Sequence, residues 1–131
     1  MIVIGEHVCH WVAERTGGEY YGGGQGIGWE LDGVLKAGAF FENYSGNSVM
    51  GHVAMETTVA PREWMNFCFR YVFDQLQVNK LIGVVDSTNH KAIRFDKHLG
   101  YIHEATIKDA GKHGDTLIFT MTREQCRYLK D

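Results

Sequence analysis

Residues 89–101 read Asn-His-Lys-Ala-Ile-Arg-Phe-Asp-Lys-His-Leu-Gly-Tyr and follow closely on an apolar run, Leu81–Val85. Apolar side chains at positions 92, 95 and 99 recur at helical spacing, which predicts an amphipathic helix. Asn89 belongs to the residue types preferred at a helix N-terminus, and Gly100 is typical of the position after the last turn. The stretch therefore predicts a buried strand, a capped helix and a second strand, in that order.

The segments on either side add antiparallel strands and two more helices. Apolar spacing predicts helices over 6–16 and 61–76, the second beginning at Pro61, which suits a first helical turn. Alternating apolar and polar residues, bounded by turn residues such as the hairpin pair Asp32-Gly33, predict six strands. A short helical turn is expected at the end of the chain. The predicted strands are 27–31, 34–41, 49–56, 80–85, 101–107 and 116–122, and the helical turn covers 123–129. This order predicts an α+β fold, a mixed and mostly antiparallel sheet with helices on both faces.

Length and composition indicate a single globular domain over residues 1–131. The chain carries 13 basic and 16 acidic side chains, a net charge of −3, and 44% of its residues are hydrophobic. This balance argues against nucleic acid and anionic membranes as partners, and no run approaches the ~20 apolar residues that span a bilayer. The first residues lack the pattern of a secretory signal. Three widely spaced cysteines predict reduced, buried thiols, so we expect a cytoplasmic protein.

Two further patterns, a glycine-rich stretch and a set of histidines, resemble binding sites but lack the residue spacing that such sites require. The glycine-rich stretch 22–28 follows a predicted helix and runs into a strand, without the Gly-Lys-Ser/Thr of a phosphate loop. It is better interpreted as a linker or a loop on the substrate side. Seven histidines are present, but none falls at the spacing of a known metal site, so we expect no metal.

The stretch 89–101 resembles the second acetyl-CoA motif of the GNAT N-acetyltransferase superfamily. In that motif a strand precedes Asn-x-x-Ala/Ser, an apolar position and then Leu-Gly-Phe/Tyr, and each position has its match here. Residues 103–124 look like the closing hairpin of the branch that acetylates the N-termini of ribosomal proteins, which has short relatives in phages and prophages. The resemblance covers 49–129. It implies strands four and five that are parallel and splayed, acetyl-CoA as the cofactor, and a homodimer as one possible assembly.

The resemblance also implies which residues bind the cofactor. Where the family carries Arg/Gln-x-x-Gly-x-Gly/Ala, this chain reads Glu56–Trp64 and contains no glycine. The N-terminus of the following helix still offers N–H groups, and Arg62 adds a cation. The implied cofactor contacts are Met55, Thr57, Thr58, Arg62 and Trp64, with Asn89, Ala92 and Phe95 along the pantetheine arm and the adenine.

For catalysis the resemblance implies direct attack of a primary amine, on a peptide or a small molecule, on the acetyl thioester. A base must take a proton from the amine. Glu56 is the first candidate and His52 the second, both on one face of the strand 49–56, and a surface or structural role stays open for each. The family's thiolate acid is a Tyr one residue after the apolar position. Asp96 stands there instead, and an Asp near its usual pKa of ~3.9 is ionised at neutral pH, so it is not assigned.

Other interpretations predict different structures. A catalytically inactive GNAT-like binding or host-interaction module would have its cleft filled by Trp64 or Phe67, whereas an enzyme would have it open. A nucleic-acid-associated protein is disfavoured by the charge. The acceptor stays open among a peptide α-amine, a lysine, an antibiotic and a small polyamine.

Overall fold

The computed structural model describes residues 1–129; residues 130 and 131 of the expected domain lie outside the described part. The strands are β1 (Ile2–Ile4), β2 (Gln25–Leu31), β3 (Val34–Glu42), β4 (Ser48–Met55), β5 (Lys80–Asp86), β6 (Ile102–Ile107) and β7 (Thr116–Met121). The helices are α1 (Glu6–Thr16), α2 (Arg62–Arg70) and α3 (His90–Leu99), with short helical turns at Tyr71–Gln75, Arg123–Gln125 and Arg127–Leu129.

The strands form one seven-stranded sheet in the order β1-β2-β3-β4-β5-β7-β6. Every neighbouring pair is antiparallel except β4 and β5, which are parallel. Helix α1 packs on one face through Val8 and Val12, and α2 and α3 pack on the other through residues such as Trp64 and Leu99. The predicted α+β class, with a mixed sheet and helices on both faces, is therefore confirmed.

The N-terminal strand β1 was not predicted from the sequence. It pairs antiparallel with β2, with Ile2 opposite Trp29, and the amino group of Met1 donates to the carbonyl of Glu30 at 2.9 Å. Three residues are too few to display the period of two on which strand prediction depends. The strand is defined by its partner across the sheet.

Helix α1 lies close to the sheet because glycines face it. A Cβ atom built on Gly38 of β3 would lie 2.9 Å from methyl carbons of both Val8 and Val12, and Gly28 is similarly crowded by Val8. The sequence predicts a linker or a loop on the substrate side for the glycine-rich stretch 22–28. The structure divides it, since 17–24 connect α1 to β2 whereas Gly26 and Gly28 are strand residues under the helix.

This close approach predicts a loss of stability on enlarging Gly38. Gly38→Ala inserts a methyl group where two valine methyls already make contact, and overpacking of this kind costs about 1–3 kcal/mol. Urea unfolding followed by circular dichroism measures the loss. Gly18→Ala is the matched control, because a Cβ there meets only the Thr16 hydroxyl at 3.5 Å. Equal stability of the two variants would contradict the packing described here.

The second predicted helix changes its geometry part-way. The sequence predicts one helix from Pro61 to Leu76, but α2 ends at Arg70 and continues as a π-helical turn over Tyr71–Gln75. The amide of Leu76 donates to the Tyr71 carbonyl at 2.9 Å, which is the i to i+5 pattern. Apolar periodicity over a single turn does not distinguish the two geometries.

The cysteines agree with the prediction of buried thiols, since Cys9, Cys68 and Cys126 are all buried. In the part of the chain that the structure describes, no helix has the length and apolar character that crossing a membrane requires.

Candidate active site between β4 and β5

The parallel strands β4 and β5 form a cleft. They pair only at Ser48–Lys80, Val49–Leu81 and Met50–Ile82. Beyond these pairs β4 continues to bond with β3 as far as Met55, and β5 continues with β7 as far as Asp86. Residues 51–55 of β4 and 83–86 of β5 are therefore not paired with each other. The predicted splay of these two strands is confirmed.

Glycines occupy the point where the strands separate. Gly51 and Gly83 are the next residues after the last pair, Met50–Ile82. A Cβ on Gly83 would lie 3.5 Å from the ring of Tyr101 and 3.7 Å from a carboxylate oxygen of Asp96. The two residues at the apex of the cleft therefore carry no side chains of their own. Leu81 and Phe41 pack against Gly51, and Asp96 and Tyr101 lie beside Gly83 on the face of the sheet that carries α2 and α3.

Asp96 is a partly buried carboxyl group, and no counter-ion lies against it within residues 1–129. Loss of hydration on burial raises its pKa from 3.8 to about 7. Among residues 1–129 no hydrogen bond or ion pair to its side chain is found. With this pKa a substantial fraction of Asp96 is protonated at neutral pH, so full ionisation is no longer a reason for setting it aside. Its position four residues after Ala92 already placed it on the inner face of the helix.

His52 flanks the same apex on the opposite face of the sheet, the face that α1 covers. Its Nε2 atom lies 2.6 Å from Oε2 of Glu42, and its ring stacks on Phe40 with a centroid separation of 4.5 Å. Phe40 in turn belongs to the cluster packed around α1. The imidazole is thus held by a stacking partner and a carboxylate, next to Gly51 in the chain. Glu42 was not singled out in the sequence, because its contact with His52 depends on the β3–β4 register, in which Glu42 lies opposite Met50 and diagonal to His52.

Glu56, the first candidate base, lies beyond the end of β4. Its carboxylate accepts a hydrogen bond from Nε of Arg15 at 2.8 Å. The Arg15 guanidinium in turn lies 3.8 Å above the Trp11 ring. Glu56 is therefore engaged in an exposed ion pair at the wide end of the cleft, whereas His52 is beside the apex. The assignment of a catalytic base stays a prediction.

N-acetyltransferases of known structure share this architecture. The spermidine N-acetyltransferase from Vibrio cholerae in complex with CoA and spermine has a TM-score of 0.66 to this chain at 17% identity, covering 81% of this chain and 68% of that one. The Campylobacter jejuni N-acetyltransferase PseH in complex with acetyl coenzyme A has a TM-score of 0.60 at 18% identity, covering 90% and 78%. The chain has the GNAT N-acetyltransferase fold.

A probable acetyltransferase is similar to a comparable degree, with a TM-score of 0.63 at 16% identity over 77% of this chain. The chain spans 63% of that protein, less than two thirds of its length. No protein-family model and no curated protein sequence matches the chain. The GNAT fold expected from residues 89–101 is thus established by structure, and the phage-like branch stays a prediction.

Within the GNAT fold, the residues predicted to bind the cofactor divide between two sides of the cleft. Met55 ends β4, Thr57 and Thr58 lie in the loop that follows, and Arg62 opens α2. The first hydrogen bond of α2 runs from the Met65 amide to the Pro61 carbonyl. The backbone N–H groups that come before Met65 in the first turn are therefore not used within the helix and point out of its N-terminus. On the other side Asn89 caps α3 by accepting from the Ala92 amide at 3.2 Å.

The fit of this GNAT cleft to a cofactor can be tested on two of those residues. The Thr57 hydroxyl is buried and has no hydrogen-bond partner among residues 1–129, as expected of a group that awaits an acceptor such as a phosphate oxygen. Trp64 does not offer its side chain, because the buried indole donates to the Ile27 carbonyl on β2 at 2.9 Å. Only the Trp64 backbone is left for cofactor contact. The residues present therefore fit a phosphate-bearing cofactor through the loop and the helix N-terminus.

The same observations bear on the inactive GNAT-like module. That hypothesis expects Trp64 or Phe67 to fill the cleft. Trp64 points to β2, and Phe67 is 38% exposed on α2.

Within residues 1–129, no three His, Cys, Asp or Glu side chains gather as a metal-ion site would require.

A cavity of about 210 Å³ lies at the end of β4 where the strands are still paired. The glycine-rich segment contributes Gly23 and Gly24, the strands contribute Phe41 and Glu42, and Tyr71 comes from the π-helical turn. Phe41 also faces Gly51, since a Cβ there would lie 3.2 Å from its ring. Phe41 therefore lines the cavity and also borders the apex of the cleft.

Proposed function

We propose that the chain is an acetyl-CoA-dependent N-acetyltransferase that acts on a small molecule with a primary amine. The observation that carries the proposal is the cleft between β4 and β5, with a glycine on each strand at its apex and a titratable side chain on each face of the sheet. The GNAT fold supports the same activity. Acetyl-CoA supplies the activated acetyl group.

The cofactor is held along the two sides of the cleft. Thr57, Thr58, Arg62 and the N–H groups of the first α2 turn bind its phosphates, with Trp64 contributing its backbone alone. Met55 borders the cleft on β4, and Asn89, Ala92 and Phe95 border it on α3. Backbone groups of residues 51–55 lack a β5 partner, so N–H donors on that edge are available to polarise the thioester carbonyl.

Proton transfer is divided between the two faces of the sheet. His52 accepts the proton that the amine nitrogen loses as the new C–N bond forms. Asp96, with a pKa raised to about 7 by burial, is protonated in a substantial fraction of molecules at neutral pH, and this form donates its proton to the sulfur as the C–S bond breaks. Glu56 is the alternative base, although its ion pair with Arg15 engages its carboxylate.

The size and lining of the cavity beside Phe41 favour a small cationic amine as the acceptor. Its volume of about 210 Å³ suits a molecule of a few heavy atoms, and Glu42, Tyr44 and Tyr71 are among its lining residues. A carboxylate and aromatic rings are the groups that attract an alkylammonium ion. Spermine is bound in one of the similar structures, which agrees with an amine of this type. A homodimer stays a possible assembly.

Acetyl transfer to a panel of primary amines, followed by mass spectrometry, tests the function and ranks the two bases. His52→Asn is expected to lower kcat by about 100-fold, the usual contribution of a general base. Glu56→Gln is expected to lower it by less than about 10-fold. The opposite ranking would return the role of base to Glu56. No acetylated product with any amine, at millimolar acetyl-CoA, would refute the proposed function.

A further inference from the structure

Resting on the proposed function, we infer that Glu42 is a positioning residue that fixes the tautomer of His52, so that Nδ1 is the atom that receives the proton from the acceptor amine. The pair is held by two neighbouring strands. Phe40 of β3 is directly opposite His52 of β4, and Glu42 is two residues further along β3 on the same face. A diagonal pair of this kind is within reach of long side chains.

The hydrogen bond defines which ring nitrogen carries the hydrogen. A carboxylate only accepts hydrogen bonds, so the 2.6 Å contact between His52 Nε2 and Glu42 Oε2 requires the hydrogen on Nε2. In the neutral ring Nδ1 then holds the lone pair. The imidazole is thereby prepared as a base at one named atom.

The orientation of the ring is fixed by a second contact. His52 stacks on Phe40 at 4.5 Å with an interplanar angle of 25°, and Phe40 is itself 2% exposed and packed against Tyr20. Stacking defines the plane of the imidazole, and the bond to Glu42 defines its rotation within that plane. Nδ1 therefore has one direction, which is the property required of a base that meets its substrate in one pose.

A purely structural role for the pair is separable by experiment. Both side chains are about one quarter exposed, 28% for His52 and 25% for Glu42. Partly exposed polar pairs contribute little to stability, so Glu42→Gln is expected to unfold within a few degrees of the wild type. Because Glu42 also lines the cavity proposed for the amine, positioning is read from a loss of kcat at saturating amine in a variant of unchanged stability.

The inference is tested by nitrogen-15 NMR of the His52 ring and by a double-mutant cycle. In the unliganded wild type above neutral pH, Nε2 should give the shift of a protonated nitrogen and Nδ1 that of an unprotonated one. Glu42→Gln should lower kcat at least 10-fold with KM for acetyl-CoA unchanged, and should add no further loss in a His52→Asn background. Glu30→Gln, on β2, is the matched control and should leave kcat unchanged.

The outcomes separate the inference from the function on which it rests. A hydrogen on Nδ1 of the wild-type ring, or independent and additive losses from the two substitutions, would overturn the role of Glu42 while leaving an active acetyltransferase. A wild type that acetylates no amine would overturn the proposed function, and the ring spectrum would still report the tautomer.

Discussion

Asp96→Asn is expected to abolish a pH dependence of stability that the wild type shows. The folded protein holds the Asp96 proton up to pH about 7, whereas the unfolded chain releases it near pH 3.8. Between these values the unfolded state binds fewer protons, so the free energy of unfolding falls as pH rises and levels off above pH 7. From pH 5 to pH 8 this amounts to roughly 2–3 kcal/mol, which the Asn variant does not lose.

The same substitution is expected to lower turnover. An amide has no acidic proton to give the departing sulfur, so kcat for acetyl transfer should fall by about 100-fold. Urea titrations at pH 5 and pH 8 and steady-state kinetics measure the two effects on the same samples. Asp32→Asn, in the exposed β2–β3 turn, is the matched control. Parallel stability curves for wild type and Asp96→Asn would contradict the buried, protonated carboxyl.

Gly83→Val is expected to abolish binding of acetyl-CoA while the protein stays folded. A Cβ on Gly83 makes ordinary contacts with Tyr101 and Asp96, at 3.5 and 3.7 Å, and valine is well suited to a strand. Its two methyl groups would then occupy the apex of the cleft. The affinity should fall by at least about 100-fold, because the cofactor would have to displace a packed side chain.

Isothermal titration measures this loss, and thermal unfolding verifies that the variant is folded. Val84→Ala changes the next residue, whose side chain is 42% exposed, and serves as the control on the same strand. Undiminished binding by a folded Gly83→Val would mean that the cofactor lies elsewhere.

The sequence predicts local elements well where the period of apolar residues is long enough to measure. Helix α3 agrees with its predicted caps, since Asn89 accepts from the Ala92 amide and Gly100 adopts a left-handed conformation with φ of 117°. The splay of β4 and β5 was implied by the family resemblance of residues 89–101. Strand β1 and the π-helical turn were missed, because three to five residues carry no readable period.

The site is less predictable, because its properties depend on contacts far apart in the sequence. Glu42 reaches His52, ten residues away, only because the β3–β4 pairing places the two residues on a diagonal of the same face. Asp96 was judged by the pKa of an exposed carboxyl, whereas burial beside Gly83 changes that value. Trp64 was expected near the cofactor, and its indole is instead in the core, bonded to β2. Pairing, burial and side-chain direction are consequences of the folded chain.

Titration of the isotope-labelled protein with acetyl-CoA, followed by amide chemical shifts, tests the location of the cofactor most directly. If acetyl-CoA lies between β4 and β5, the amides of 51–58, 62–64, 83–84 and 89–96 should shift together with a single dissociation constant. Strand β1 and the Asp32-Gly33 turn should be unaffected. Unchanged spectra at millimolar acetyl-CoA, or shifts confined to another face of the sheet, would contradict an acetyl-CoA site in this cleft.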